Sequence, residues 1–416
     1  MGKLILGFLQ VLVIISMFAV LPAWADVPVD PGLKDTLMQV FAGNSTFALS
    51  LYSFLSSSEE GNLFFSPFSI STALGMLYGG AKNETASEMA RVLCFPEDVR
   101  RLYPAYGGLL REFCRDEPGY RMAIANRLWG QTDFGFEEEF LTLLGAHFGA
   151  GLIELDFRRD AEAARKTINS WTEEKTLGKI RELLRPGIIS PSTVFVLTNA
   201  IYFKGDWFQK FEKADTQMQP FHLSNGHTVD VPMMKMKRGF RYFDGGTFQA
   251  IELPYKGNEV SMFVFLPKAV DGLKDFQPLL TPANFISWRS KMVEKGDVSL
   301  FLPRFKVTSK FELKKVLSAM GMKTPFMVGA DFSGITRRKD IPIFISEVVH
   351  KAYIETTEEG SEAAAATAVI AGNFVSRPME TVFRADHPFV FILLDNRFGN
   401  ILFIGRICGP DTERGP

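Results

Sequence analysis

Apolar residues recur at helical spacing in the first half of the chain. Ile70, Leu74 and Leu77 follow the dipeptide Ser66 and Pro67 in this pattern. A serine hydroxyl can accept the exposed backbone amides at a helix start, and proline suits the first helical position. The sequence therefore predicts a helix that begins at Pro67.

Three further helices are predicted. Residues 85–88 and 309–312 each place a hydroxyl residue three positions before a glutamate, which is the pattern of a capping box. The second box is expected to open a helix that continues through Met320. Another helix is expected within residues 160–172.

Strand-length apolar runs prevail in the second half. Residues 193–203 form a run typical of a strand that is covered on both faces. Residues 250–254 and 260–267 flank a Lys-Gly-Asn sequence and predict a hairpin. Residues 389–394 and 401–407 predict a second hairpin in the same way.

The order of these elements predicts the fold class. Ile341, Ile343 and Ile345 alternate in the manner of one more strand. Helices first and strands later, without βαβ alternation, favour an α+β fold with antiparallel or mixed sheets. Because no internal repeat or linker-like stretch interrupts residues 26–410, we expect a single domain over residues 26–416.

Composition and charge exclude several classes of function. The chain has 416 residues, a net charge of −1 and 46% hydrophobic residues, which suits a globular protein with a large core. This charge balance provides no long-range field for nucleic acid or an anionic membrane, so neither is expected as a partner. The three cysteines, Cys94, Cys114 and Cys408, are too few for a disulfide framework or a four-ligand zinc site.

The first 25 residues differ from the rest. Lys3 precedes an apolar run over residues 4–21, which is followed by Pro22 and the small-residue pattern of residues 23–25. This pattern predicts a signal peptide cleaved after Ala25, and hence a secreted protein, either extracellular or, in a Gram-negative host, periplasmic. An uncleaved membrane anchor is the alternative, since the run is about long enough to span a bilayer.

Catalytic motifs are absent from the sequence. It contains no nucleophile elbow, no H-E-x-x-H zinc helix and no dinucleotide fingerprint. The histidines other than His350 have no partner at ligand or triad spacing. We therefore expect no enzyme, no cofactor, no metal and no catalytic residue.

The segment of residues 358–378 is unusual because it interrupts strong strand signals on both sides. Long structureless connections inside a compact domain are commonly functional or disordered. Its alternate positions carry small or uncharged side chains, which in an extended chain would all face one way; these positions are Ser361, Ala363, Ala365, Thr367 and Val369. The segment therefore indicates a switch between loop and strand, with a disordered loop or an alanine-rich helix as alternatives.

Seven stretches of the sequence resemble the serpin family, and together they span the chain after its first 25 residues. They are NLFFSPFSISTAL (62–74), TNAIYFKGDW (198–207), LPRFK (302–306), HKAYIE (350–355), EEGSEAAAAT (358–367), ADHPF (385–389) and ILFIGRICGP (401–410). The resemblance implies the serpin fold, with three β-sheets, eight or nine helices and an exposed reactive-centre loop over about residues 358–382.

The resemblance also implies the functional residues. Ser66, Ser69, Asn199 and His350 would form the polar shutter beneath the opening strands, and Trp207 would lie in the breach where insertion begins. The hinge would consist of Glu358, Glu359, Gly360, Ser361, Glu362, Ala363, Ala364, Ala365, Ala366 and Thr367.

Counting along the family's loop places the cleaved bond between Phe374 and Val375. Phenylalanine suits a deep apolar specificity pocket, as in chymotrypsin-like or subtilisin-like serine proteases. Arg377 is the alternative, but Pro378 follows it and trypsin-like enzymes cleave poorly before proline.

The expected function is suicide inhibition, in which the target serine protease becomes covalently attached to the cleaved loop. The alternative is a non-inhibitory serpin that carries a ligand or acts as a chaperone; relatives of that kind tend to have bulky, charged or proline residues in the hinge, unlike this chain. We expect a monomer. Regulation by heparin is not predicted, because the arginines between Arg91 and Arg115 are interleaved with acidic residues.

Overall fold

The computed structural model describes residues 31–96, 99–114, 119–149, 151–338, 340–361 and 380–410. The predicted leader, hinge residues 362–367 and the predicted cleavage positions lie outside these ranges. The helices within the described residues are α1 Pro31–Ser58, α2 Pro67–Tyr78, α3 Asn83–Leu93, α4 Val99–Phe113, α5 Glu138–Phe148, α6 Ala161–Lys175, α7 Leu273–Phe276, α8 Pro282–Lys291 and α9 Lys314–Ala319.

Helix α2 begins as its sequence predicts. The Ser66 Oγ accepts the backbone amide of Ser69 at 3.1 Å, and Pro67 occupies the first turn. All residues of the helix are buried, which suits its almost uninterrupted apolar and small side chains. Helix α6 likewise starts where predicted, because the Asp160 carboxylate accepts the amide of Ala163 at 2.8 Å.

Both predicted capping boxes are wrong. The Thr85 Oγ1 accepts the backbone amide of Asp331, and Glu88 accepts the amides of Lys323 and Thr324. Ser309 lies in a strand, where its Oγ accepts the amide of Phe64 at 3.0 Å. In each case a donor distant in the sequence has replaced the local partner that the pattern implied.

The strands form two hydrogen-bonded sheets. One has six strands, in the order β10-β11-β4-β2-β3 with β12 on β4, and the other has nine, in the order β1-β15-β14-β8-β7-β6-β9-β13 with β5 on β6. The strands are β1 Leu63–Phe65, β2 Tyr120–Gln131, β3 Ile153–Leu155, β4 Phe195–Asp206, β5 Gln217–His222, β6 Thr228–Asp244, β7 Phe248–Pro254, β8 Val260–Pro267, β9 Val293–Pro303, β10 Phe305–Glu312, β11 Val349–Thr356, β12 Gly360–Ser361, β13 Thr381–Arg384, β14 Phe389–Asp395 and β15 Ile401–Ile407.

Strand β6 connects two groups within the nine-stranded sheet. Its residues 228–233 pair with β5, residues 233–242 pair with β9 and residues 242–244 pair with β7. The pairing with β9 has a register shift between Arg238 and Phe240. The described residues therefore form two sheets where three were expected, because β6 hydrogen-bonds to strands of both groups and joins them into one. The prediction of an α+β fold is confirmed.

Most predicted strands are present. The β7–β8 and β14–β15 hairpins are antiparallel, as expected, and β4 lies inside the six-stranded sheet. The strand predicted from Ile341, Ile343 and Ile345 is absent, because this stretch forms no ladder. Ile343 and Ile345 are nevertheless buried, so their alternation reflects packing of an irregular segment into the core.

Among the described residues, no helix combines the length and apolar character needed to cross a bilayer. Over the same ranges, the acidic, histidine and cysteine side chains form no cluster of three or more suited to a metal ion.

Candidate functional site

The centre of the six-stranded sheet is closed over only part of its length. Strands β4 and β11 run parallel and pair from Thr198 with Val349 to Tyr202 with Tyr353. Beyond these positions β4 remains paired with β2, and β11 with β10, but the two central strands no longer pair with each other. The sheet therefore has a gap between its two middle strands at one end.

Strand β12 lies at this gap. Gly360 pairs with Asp206 and Ser361 with Gly205, both antiparallel to β4. The chain reaches this position through a tight turn, in which Thr357 and Gly360 exchange backbone hydrogen bonds of 2.7 and 3.1 Å. We call residues 357–360 the hinge turn.

Gly360 is required by the geometry of the hinge turn. Its φ of +131° lies in a region that side-chain-bearing residues rarely adopt. A Cβ at this position would lie 2.1 Å from the carbonyl oxygen of Gly205. Only glycine allows the backbone to approach β4 this closely.

Glu358 anchors the hinge turn to residues that flank strands β5 and β9. Its carboxylate accepts hydrogen bonds from Arg304 at 2.5 and 2.8 Å and from the Thr216 Oγ1 at 2.5 Å, and its side chain is 2% exposed. Burial raises the pKa of this carboxyl, but the bonds from Arg304 and Thr216 outweigh it and hold the pKa below its ordinary value. Glu358 is therefore a fixed anion in the folded protein.

Glu359 anchors the opposite side of the turn. Its two oxygens lie 2.6 Å from the Lys210 Nζ and 3.1 Å from the Lys213 Nζ. The hydrogen bond from Lys210, assisted by Lys213, lowers the pKa of Glu359. Both glutamates of the turn are therefore paired with cations of other elements.

Trp207 connects β4 to the hinge turn. Its indole Nε1 donates to the Thr357 carbonyl and its backbone amide donates to the Glu359 carbonyl, each at 3.0 Å. Its ring stacks on Tyr255 with a centroid distance of 4.5 Å. The amide of Phe211 adds a bond of 2.9 Å to the Glu358 carbonyl. The predicted breach residue thus holds the turn directly.

A second group of predicted residues meets below the gap. The side-chain amide of Asn199 donates to the Ser69 carbonyl at 2.7 Å and to the Ser69 Oγ at 2.8 Å. Ser66 donates through its Oγ to the Leu402 carbonyl at 2.7 Å. Together with His350 and Asn126 we call these residues the polar cluster. It lies about eight residues along β4 from Trp207, on the order of 26 Å in a strand.

His350 joins the cluster as a neutral imidazole. The backbone amide of Ser66 donates to its Nε2 at 3.1 Å, so that nitrogen carries no proton and Nδ1 donates to the Asn199 Oδ1. Complete burial lowers the pKa of His350 to about 3. Protonation of Nε2 would place its N–H opposite the backbone N–H of Ser66, leaving two donors without an acceptor. The cluster therefore requires the neutral form.

Several residues that hold this site were not predicted from the sequence. Asn126 lies opposite Asn199 on β2 and accepts its amide at 2.7 Å; an asparagine within a mainly apolar strand was the available signal. Arg304 lies within the LPRFK stretch, which carried part of the resemblance but received no role. No sequence pattern pointed to Thr216, Lys210 or Lys213.

Comparisons with known proteins agree with this architecture. The family model of Serpin (serine protease inhibitor) matches residues 42–410. Leukocyte elastase inhibitor A of Rattus norvegicus is 41% identical over 89% of this chain and 100% of its own length. Serpin B6 of Macaca fascicularis is 40% identical over 90% of this chain and 100% of its own.

Solved structures share the fold. The crystal structure of uncleaved ovalbumin superposes with a TM-score of 0.81 at 29% identity, over 89% of this chain and 100% of that one. Human thyroxine-binding globulin also gives 0.81, at 27% identity over 91% of this chain and 100% of that one.

The comparisons contradict one prediction. Leukocyte elastase inhibitor and serpin B6 are intracellular serpins, so the expectation of a secreted protein is wrong. That expectation rested only on residues 1–25, which lie outside the family match at residues 42–410. The fold and its site carry no compartment signal that could have corrected it.

The gap between β4 and β11, the hinge turn beside it and the match over residues 42–410 lead to one conclusion. This chain belongs to the serpin family of serine protease inhibitors.

Proposed function

We propose that the protein acts as a single domain and inhibits a serine protease as a suicide substrate. The protease serine attacks the carbonyl carbon of the cleaved bond, the new amine leaves, and an ester joins enzyme and loop. The cut loop then enters the six-stranded sheet between β4 and β11. The observation that carries this proposal is β12, whose two residues already pair antiparallel with β4 beside the gap. An inserted loop would continue this strand.

The energetics favour insertion. The pairing that must part covers only five residue pairs between β4 and β11. A new strand would bond to both neighbours, and about twelve ladder hydrogen bonds at a net ~1 kcal/mol each give roughly 10 kcal/mol. Whole domains are stable by only ~5–15 kcal/mol, so this free energy can deform the active site of an attached protease.

The polar cluster supports the role of a shutter for Ser66, Ser69, Asn199 and His350. These side chains bridge β4, β11 and the start of α2 through hydrogen bonds. Such bonds can break and re-form when strands separate, whereas interlocked apolar packing resists sliding. A polar contact at this place therefore suits a sheet that must open.

The hinge sequence supports insertion over the carrier alternative. Continuing β12 beyond Ser361 would direct Ala363, Ala365 and Thr367 to one face of the new strand. None of these is charged, bulky or proline, so a sheet can accept them without steric or electrostatic cost.

The target is proposed to be a chymotrypsin-like or subtilisin-like protease that cleaves between Phe374 and Val375. An apolar aromatic residue before the cleaved bond suits the deep specificity pocket of such enzymes. Arg377 is the alternative position, at which Pro378 would hinder cleavage.

Incubation with chymotrypsin tests the proposal. We expect a complex that survives boiling in detergent and a released peptide whose mass corresponds to a start at Val375. Phe374→Ala should slow the association with chymotrypsin at least about tenfold, because an apolar pocket contact is lost. Arg377→Ala is the matched control and should change the association rate by less than about twofold. Cleavage at this bond without any covalent complex would refute the trapping mechanism.

The complex is proposed to contain one inhibitor monomer and one protease, formed without heparin. The arginines from Arg91 to Arg115 share their segment with acidic residues, so no unbroken basic surface is expected there. Unchanged association rates with and without heparin would support this.

A further inference from the structure

A cleft of about 400 Å³ lies beside the hinge turn. The segment that follows β4, from Trp207 to Phe211, forms one wall. Strand β6 around its register shift forms a second wall, and the β7–β8 hairpin forms a third. Its volume falls within the ~300–1,000 Å³ typical of pockets for small organic molecules.

One wall of the cleft is also the support of the hinge turn. The amides of Trp207 and Phe211 donate to the carbonyls of Glu359 and Glu358. An occupant of the cleft would therefore contact the same segment that holds the root of the loop.

The cleft contains a cation without a partner. Among the described residues, the Arg238 guanidinium forms no ion pair or hydrogen bond, although the side chain is half-buried. The neighbouring Arg241 differs, because its guanidinium binds the Glu252 carboxylate at 2.5 Å. Glu294 is exposed, and in the ladder it pairs with Arg241. The remaining positive charge therefore suits an anionic group of a ligand.

Aromatic side chains and one free acceptor contribute to the rest of the lining. Trp207, Phe208 and Phe240 line the cleft, and the Phe208 side chain is 51% exposed. The side-chain amide of Asn396 donates to the Asn258 carbonyl and the Ser261 Oγ, while its Oδ1 is buried without a donor in the described part of the chain. A ligand with an aromatic body and a hydrogen-bond donor would satisfy both features.

We propose that this cleft is a binding site for a small aromatic carboxylate that carries a hydrogen-bond donor. The carboxylate binds the Arg238 guanidinium, the ring packs against Trp207 and Phe208, and the donor reaches towards the Asn396 Oδ1. Because the ligand packs against Trp207, its binding restrains the segment that holds the hinge turn. Binding itself does not depend on the inhibitory mechanism proposed above.

Calorimetric titration with indole-3-acetate tests the site. This probe has an aromatic ring, an N–H donor and one carboxylate, and a molecule of its size is expected to bind with a dissociation constant on the order of 1 mM. Indole-3-acetamide has the same body without the charge and should bind at least about tenfold more weakly. Equal affinity for the two compounds, or no binding of either, would overturn the proposal.

Variants of the full chain locate the probe. Arg238→Gln should weaken binding of indole-3-acetate at least about tenfold, and Arg238→Lys should restore part of it. Lys235→Gln is the matched control, because it removes an exposed charge of the same strand outside the cleft and should change affinity by less than about twofold. Unaltered binding by Arg238→Gln would place the ligand elsewhere and refute the assignment.

Hydrogen exchange gives a readout that a purely structural change would not produce. In wild type the probe should slow exchange of the Trp207 and Phe211 amides severalfold, because both belong to the wall that it contacts. Exchange rates at these two amides that do not respond to saturating probe would contradict the proposed position.

Discussion

At the scale of single residues, the site depends on a few positions whose neighbours leave no freedom. Gly360 is held against the Gly205 carbonyl, Glu358 is enclosed by Arg304 and Thr216, and His350 is fully buried as a neutral ring. Each has a physical requirement that can be tested by one substitution.

Gly360→Ala should destabilise the folded protein by about 2–3 kcal/mol. The substitution adds a Cβ at a positive φ and places it against the backbone of β4. Urea unfolding measures the change. Gly61→Ala is the control, because Gly61 has a φ of +77° with no atom within 4 Å of the added Cβ, and it should cost only ~1 kcal/mol. Equal costs for the two variants would show that the close approach to β4 is unimportant.

His350 should make the protein less stable in mild acid. The unfolded chain binds a proton at this histidine below its ordinary pKa of 6.5, whereas the folded protein does so only near pH 3. The unfolded state therefore gains protons first, and the free energy of unfolding falls as pH drops below about 6.5. The loss that His350 contributes should be about 2 kcal/mol between pH 8 and pH 5.

The comparison of His350→Gln with wild type at both pH values isolates this effect. The variant must be compared with wild type because a second group also titrates in this range. Burial raises the pKa of Asp395 to about 6, so Asp395 increases the free energy of unfolding as the pH falls, opposite to His350. His227→Gln, at an exposed position, should keep the wild-type dependence. If His350→Gln also kept the wild-type pH dependence, the buried neutral histidine would not be the source of that dependence.

At the scale of elements, β4 and β11 are two parallel strands joined over a short stretch, and β12 starts a third strand between them. The hinge turn is held by the ion pairs of Glu358 with Arg304 and of Glu359 with Lys210. The proposed insertion would therefore extend β12 along the strand that its two pairs with β4 begin.

Thr367→Arg should convert the inhibitor into a substrate. In an inserted, extended hinge this position would fall in the inward-facing set, where burying an unpaired charge costs several kcal/mol. The stoichiometry of inhibition should rise severalfold, as measured by titrating a fixed amount of chymotrypsin. Ala366→Arg is the matched control, because in an extended strand the preceding residue would face the opposite way, so the stoichiometry should stay near its wild-type value. The same effect from both variants would contradict an alternating, inserted strand.

At the scale of the whole molecule, the native form is proposed to be less stable than its cleaved form. In this proposal the six-stranded sheet accepts one more strand, which the loop can supply only after cleavage releases its end. We expect the buried hairpin of β14 and β15 to stay packed after cleavage, since neither strand borders the gap.

Cleavage of the loop should raise the melting temperature by at least about 15 °C, because about twelve ladder hydrogen bonds form. Scanning calorimetry before and after limited proteolysis measures the change. The Thr367→Arg variant provides the control, and its melting temperature should rise little after cleavage. A wild-type protein that melts at the same temperature after cleavage would support the ligand-carrier alternative.

Local signals in the sequence determined much of this protein. The helix start at Ser66, the buried β4 run and the two hairpins follow from capping, periodicity and turn chemistry, which depend on neighbouring residues. The small alternating residues of the hinge were also visible. Resemblance supplied the roles proposed for Asn199, His350 and Trp207.

The tertiary structure alone decided which distant groups meet. Glu358 binds Arg304, 54 positions earlier in the chain, and Asn199 binds Asn126, 73 positions earlier. The hydroxyls of Thr85 and Ser309 serve remote amides instead of helix starts. Such contacts depend on strand register and on the packing of one layer against another, which no local pattern encodes. The cleft at Arg238 arises for the same reason, since its walls come from separate elements that only the folded chain brings together.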